Sequence, residues 1–123
     1  MSQEFDLLKQ WGELDDVELG RIANSDNIAV LERVARLLTD ETTRENKGIE
    51  PAKFASLVRE MLTRYRDGAW QLGEAIIEAG DLADRKAYAE AQKVYENFLG
   101  KCRWKFYRDI ARTQLQKLGR QNR

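Results

Sequence analysis

From Pro51 to Gly80 the chain keeps one apolar rhythm at the spacing of an α-helix. Proline suits the first turn of a helix and disfavours helix in the residue before it, so we expect a helix to begin at Pro51. The residues that recur at intervals of three and four are Phe54, Leu57 or Val58, Met61, Tyr65, Leu72, Ile76 and Ala79. This rhythm predicts a long helix over about 51–79 and disfavours a sheet-rich fold.

Two glycines, Gly68 and Gly73, lie inside this segment, and each costs a helix about 1 kcal/mol relative to alanine. Either the helix breaks at Asp67-Gly68, or it continues and the glycines let another helix approach closely. We favour the continuous helix because the apolar rhythm stays in phase across Gly68. Gly80 followed by Asp81 predicts the end of the helix.

The apolar rhythm resumes at Tyr88 and predicts a second long helix over about 84–118. Gly100 alone interrupts this rhythm, and any kink in the helix is expected at that residue. Because a short turn joins the two long helices, we expect them to pack antiparallel. The stretch 69–81, "AWQLGEAIIEAGD", also resembles the start of a tetratricopeptide repeat, but the helix after it is too long and no second copy follows.

The front of the chain predicts shorter elements. Ser25 or Asp26 can cap a helix over about 26–41, whose apolar side carries Ile28 and Leu31. Residues 3–11, "QEFDLLKQW", predict a short N-terminal helix, and "GELDDVELG" after it is expected to be a turn-rich acidic connector. The predicted fold is therefore all-α, a small helical bundle built on a long antiparallel helical hairpin.

Length and composition limit the possible functions. A chain of 123 residues fits one domain over 1–123, with 119–123 as a frayed basic tail. There is no histidine and one cysteine, Cys102, which removes the commonest general base and makes a zinc site improbable. We therefore expect no enzyme activity, no metal and no cofactor. No apolar run approaches a membrane span of about 20 residues, and we expect a cytoplasmic protein.

The net charge is zero, but the charges are unevenly distributed along the chain. Residues 1–50 carry six Lys or Arg and twelve Asp or Glu, whereas residues 100–123 carry eight and one. The basic tail could be a solvated face that complements the acidic front, a surface for a protein partner, or a surface for nucleic acid or anionic membrane.

Most of the chain resembles one known family in four stretches, "SDNIAVLERVARLL", "LVREMLTRYRDGAWQLGEAI", "AGDLADRKAYAEAQKVYENFL" and "FYRDIARTQLQKL". Together they resemble the DUSAM domain, a family of short myxobacterial proteins without an assigned function. The chain departs from the family pattern in extra residues after "AGDL" and in the basic "KCRWKF". The resemblance implies an all-helical, cytoplasmic, non-enzymatic protein and supplies no catalytic residue.

Our preferred function is a small protein-protein interaction or adaptor module, with self-association into a homo-oligomer as a further option. Aromatic side chains and arginines are common interface anchors. Trp70 could instead be core. Alternatives are a nucleic-acid-binding regulator that uses the basic C-terminal helix, and an immunity or inhibitor protein that binds a toxin or enzyme. The candidate partner-binding residues are Arg66, Trp70, Arg103, Trp104, Lys105, Arg108 and Arg112.

Overall fold

The computed structural model describes residues 3–39 and 49–121, and this part of the chain contains six α-helices and no β-strand. This confirms the all-α helical bundle. Within the same residues, no helix combines the length and the apolar composition needed to cross a membrane. The helices are α1 (Gln3–Trp11), α2 (Asp16–Arg21), α3 (Ser25–Leu37), α4 (Phe54–Asp84), α5 (Tyr88–Lys101) and α6 (Lys105–Gln121), with a 3-10 turn at Pro51–Lys53.

Helix α4 is 31 residues long and runs through Gly68 without a break, which confirms the continuous helix. The chain nevertheless divides into two compact units whose boundary lies inside α4, between Tyr65 and Arg66. The prediction of a single domain over 1–123 stays a prediction.

The first unit packs α1, α2, α3 and the beginning of α4 around apolar side chains. Phe5 stacks on Tyr65 with ring centroids 4.7 Å apart, and Trp11 meets Phe54 edge-on at 5.2 Å. The limits of α1 coincide with the predicted short N-terminal helix. The buried side chains of this unit are Phe5, Leu8, Trp11, Leu19, Leu31, Val34, Leu38, Phe54, Val58, Met61 and Leu62.

The acidic segment after α1 is not a simple connector, because it forms the short helix α2. The side chain of Asp15 accepts a hydrogen bond from the backbone N–H of Glu18 at 2.8 Å, and Leu19 is fully buried. An acid at the N-cap with a second acid three residues later is the spacing of a helix start. The prediction of a connector is therefore wrong over these residues.

Helix α3 begins one position earlier than predicted. Its N-cap is Asn24, whose side chain accepts from the N–H of Asn27 at 2.9 Å, so Ser25 and Asp26 lie inside the helix rather than at the cap. The helix ends at Leu37, short of the predicted 41. Residues 40 and 41 lie outside the described residues.

The second unit contains the later part of α4 together with α5 and α6. At Gly68 a Cβ would lie 2.2 Å from the ring of Tyr107, so the absence of a side chain lets α6 approach α4 closely. The same role was predicted for Gly73, and there it is wrong, since nothing lies within 4 Å of its Cβ position. The buried side chains are Leu72, Ala75, Ala79, Ala91, Tyr95, Phe98, Cys102, Tyr107, Ala111 and Leu118.

Helix α4 does not stop at Gly80-Asp81 but continues to Asp84. Its end is made by Lys86, which has a φ of 61° in the left-handed region. The N–H of Lys86 donates to the carbonyl of Ala83 at 2.9 Å, and that of Ala87 to Leu82 at 2.8 Å. This pair of bonds is the Schellman motif that satisfies the last carbonyls of a helix. The helix therefore ends where these bonds form, not at the glycine.

The predicted second long helix over 84–118 is wrong, because the structure has two helices there. The interruption is at residues 102–104 rather than at Gly100, and Cys102 is extended, with φ −83° and ψ 130°. Helix α6 packs against α5. Helix α6 continues to Gln121, so residues 119–121 of the predicted frayed tail are helical.

Candidate functional site

A groove of about 500 Å³ lies between α4 and α5 in the second unit, and Trp70 stands on its wall. The Trp70 side chain is 71% exposed, so it is not a core residue. The groove is lined by Trp70, Gln71, Glu74, Ala75, Glu78, Val94, Asn97, Phe98 and Lys101.

The groove has an apolar floor and charged edges. Ala75 and Phe98 are buried and Val94 is half-buried, so they form a floor that can hold an apolar side chain. Glu74 and Glu78, one helical turn apart on α4, place two carboxylates on one edge, and Lys101 is the one cation among the lining residues. The groove can thus hold an apolar group and attract a cation beside it.

Of the predicted partner-binding residues, Trp70 alone lines this groove. Arg66 lies one turn before Trp70 on α4 and is exposed. The others lie at the α5–α6 junction or on α6. The sequence prediction therefore identified one residue of the groove and combined it with residues that the structure places elsewhere.

Arg108 has a structural role at the junction of α5 and α6. Its guanidinium donates to the carbonyl of Leu99 and, at 2.8 Å, to that of Cys102. These carbonyls belong to the last turn of α5 and the residue after it, where a helix leaves backbone acceptors without partners. Arg108 therefore joins the end of α5 to α6, and its charge faces the backbone.

Two further cations of the basic segment are paired within α6. Lys105 donates to Asp109 at 2.9 Å, and Arg112 donates to the other oxygen of the same carboxylate at 3.2 Å. Such exposed pairs contribute roughly 0.2–1 kcal/mol each to stability. The pairing lowers the positive field that this side of α6 presents to solvent.

The remaining candidates, Arg103 and Trp104, lie in the link between α5 and α6. Arg103 is exposed, whereas Trp104 is half-buried, and its carbonyl accepts from the N–H of Arg108 at 3.1 Å in the first turn of α6. Both residues take part in further interactions. Trp104 therefore helps to start α6, unlike the largely exposed Trp70.

Cys102 is buried at the end of α5, and burial raises the pKa of its thiol above the ordinary value. A backbone hydrogen bond with Trp104 and the charge of Arg108 oppose that rise. Because the thiolate is the nucleophile, a raised pKa together with burial makes this thiol unreactive.

We expect Cys102 to react with a thiol reagent far more slowly in the native protein than in denaturant. Burial places the pKa of the Cys102 thiol higher in the folded protein than in the unfolded chain. At a pH between these two pKa values, the folded protein therefore keeps the thiol proton that the unfolded chain has lost. This contribution to stability is complete at lower pH and disappears as the pH rises from the ordinary thiol pKa to the raised one. The difference between the free energies of urea unfolding of wild type and Cys102→Ala should therefore change across that alkaline range. Equal pH slopes of the two free energies, together with fast labelling of the native thiol, would contradict the burial of Cys102.

A second cavity, of about 790 Å³, lies in the first unit between α2 and the start of α4. Its main polar side chain, Arg59, donates to the carbonyl of Gly12 at 3.0 Å and to that of Leu14. Arg59 is thereby committed to the turn between α1 and α2. Among residues 3–39 and 49–121, no cluster of three or more Cys, Asp or Glu is placed to hold a metal ion.

Sequence reasoning missed Glu74, Glu78, Val94 and Phe98 as groove residues. Their spacing of three or four on each helix was a usable signal, because such residues share one side of a helix. What the sequence did not provide was the register between α4 and α5. That register depends on where α4 ends, and the predicted end at Gly80 was too early.

The comparisons with known proteins find no match to any family model, to any curated protein or to any solved structure. The resemblance to the DUSAM domain stays a prediction.

Proposed function

We propose that this protein is a non-enzymatic interaction module that binds a segment of a partner protein in the groove between α4 and α5. The observation that carries the proposal is the exposure of Trp70 on the wall of that groove. Tryptophan is strongly enriched among the residues that dominate binding energy at protein interfaces. Covering a water-exposed tryptophan beside an apolar floor removes apolar surface from water, which favours binding of a partner.

The groove favours a particular partner chemistry. An apolar side chain fits over Ala75 and Phe98, and a lysine or arginine next to it meets Glu74 and Glu78. An acidic residue further along the segment meets Lys101. An amphipathic helix with one basic edge satisfies these requirements, and helix-in-groove binding is a common mode of recognition.

Nucleic acid is a poorer fit for two reasons. Glu74 and Glu78 repel phosphate at the groove. On α6, Lys105 and Arg112 share Asp109, while Arg108 is directed at backbone carbonyls. An inhibitory role against a toxin or enzyme concerns the identity of the partner and stays a prediction.

Affinity capture from native lysate with site variants tests the proposal. We expect Trp70→Ala to reduce recovery of a specific protein by about tenfold or more, because a buried tryptophan anchor is lost. Glu74→Lys should reduce it as well, by reversing the charge on the groove edge. Val17→Ala is the matched control, since Val17 is also a largely exposed apolar residue but lies in the first unit.

Nuclease treatment of the lysate separates the alternatives. A protein partner should survive nuclease and be lost with Trp70→Ala. Recovery that depends on nucleic acid and is lost with Lys117→Glu on α6, but not with Trp70→Ala, would contradict the proposal.

A further inference from the structure

Helix α4 in the second unit carries an exposed face that shares Trp70 with the groove. Its residues recur at alternating spacings of four and three, which places them along one side of a helix. Trp70 is 71% exposed and Ile77 66% exposed. The face consists of Arg66, Trp70, Gly73, Ile77, Gly80 and Asp84.

The two glycines on this face border open space. Among the residues that the structure describes, nothing lies within 4 Å of a Cβ built at Gly73 or at Gly80, in contrast to Gly68. Each glycine costs the helix about 1 kcal/mol relative to alanine. A glycine inside a helix without an internal contact leaves space for something that approaches from outside.

On this face, each large apolar residue has a glycine at the same distance on the other side of position 75. Trp70 and Gly80 are equidistant from that position, and so are Gly73 and Ile77. When two copies of the helix lie antiparallel with this point on a two-fold axis, Trp70 faces Gly80 of the other copy and Ile77 faces Gly73. Each large side chain then enters the space over a glycine, as a two-fold interface requires.

The charges at the two ends follow the same symmetry. Arg66 and Asp84 are also equidistant from position 75, and both are exposed. In the antiparallel arrangement Arg66 of one copy faces Asp84 of the other, at both ends of the face. In a parallel arrangement like charges would meet instead. Charge complementarity of this kind fixes register and suppresses the wrong alignment.

We propose that this face binds a second copy of the chain, with the two α4 helices antiparallel about position 75. The inference goes beyond the proposed function and does not depend on it. The face is roughly 27 Å long at 1.5 Å per residue. One helix pair of that length lies at the low end of specific interface sizes, so the dimer should be weak and concentration-dependent.

Charge reversal tests the alignment. Sedimentation velocity over a hundredfold concentration range should show wild type moving from monomer toward dimer. Arg66→Glu and Asp84→Arg should each weaken self-association by about tenfold or more, because like charges then face each other at both ends. The double variant, Arg66→Glu with Asp84→Arg, should restore it.

Filling the glycine space tests the packing. Gly80→Gln should weaken self-association similarly, because its side chain occupies the position of the partner's Trp70. Gly119→Gln is the control, since Gly119 is another helical glycine with open space at its Cβ position, on α6. Circular dichroism should show wild-type helicity for each variant, because none of these positions is buried.

Three results would overturn the proposal: a wild-type monomer at every concentration, a dimer unaffected by Gly80→Gln, or a double charge variant as weak as either single one. Glu74→Lys, which lies on the groove and off this face, should leave self-association unchanged. Loss of partner capture with intact self-association, or the reverse, therefore distinguishes failure of one proposal from failure of the other.

Discussion

Phe54→Ala is expected to lower the free energy of unfolding of the first unit by about 3–5 kcal/mol. Phe54 is fully buried, and its ring meets Trp11 edge-on at 5.2 Å. The substitution removes the apolar surface of the ring and leaves a cavity that the surrounding helices can close only in part. Urea unfolding followed by circular dichroism measures the loss.

The control for Phe54 is Val17→Ala, at an exposed apolar position in the same unit. It should change the free energy of unfolding by no more than about 0.5 kcal/mol. Equal effects of Phe54→Ala and Val17→Ala would mean that the core of the first unit does not include Phe54.

Gly68→Ala is expected to lower the free energy of unfolding of the second unit by about 1–2 kcal/mol, although alanine is the better helix former. The new Cβ would lie 2.2 Å from the ring of Tyr107, which is itself buried and in contact with Phe106. A ring held from several sides has little room to move, so the overpacking cost exceeds the gain in helix propensity.

The opposite sign is expected at Gly73, which lies in the same helix with open space around it. Gly73→Ala should raise the free energy of unfolding by up to about 1 kcal/mol in dilute protein. Urea unfolding of both variants in parallel tests the close approach of α4 and α6. If both alanines stabilise, α6 does not lie against Gly68.

Much of the helical architecture could be predicted from the sequence, because period and caps act locally. The apolar rhythm identified α1 and the continuity of α4 through Gly68. The errors lie at helix ends that are fixed by features outside the apolar period. The capping of the α5 carbonyls by Arg108 and the left-handed Lys86 leave no periodic signal, so both breaks were misplaced.

The candidate site was predictable only in part. Trp70 and the basic segment both stood out in the sequence, yet only the structure separates the exposed Trp70 from cations that are already engaged. Glu74 and Glu78 carry no sequence signal of a site, because acids on a helix are usually solvated. In the structure they line the groove together with residues of α5.

The most direct measurement of groove binding is site-specific photo-crosslinking from position 71. Gln71 is an exposed lining residue of the groove, so a photoreactive phenylalanine analogue there leaves Trp70 in place. Introduced into the full chain in cells, it should crosslink to a discrete partner protein other than a second copy of the chain. The same group at Lys117, an exposed position on α6, should give no such product. A partner protein captured from position 117 but not from position 71, or nucleic acid captured from either, would contradict groove binding.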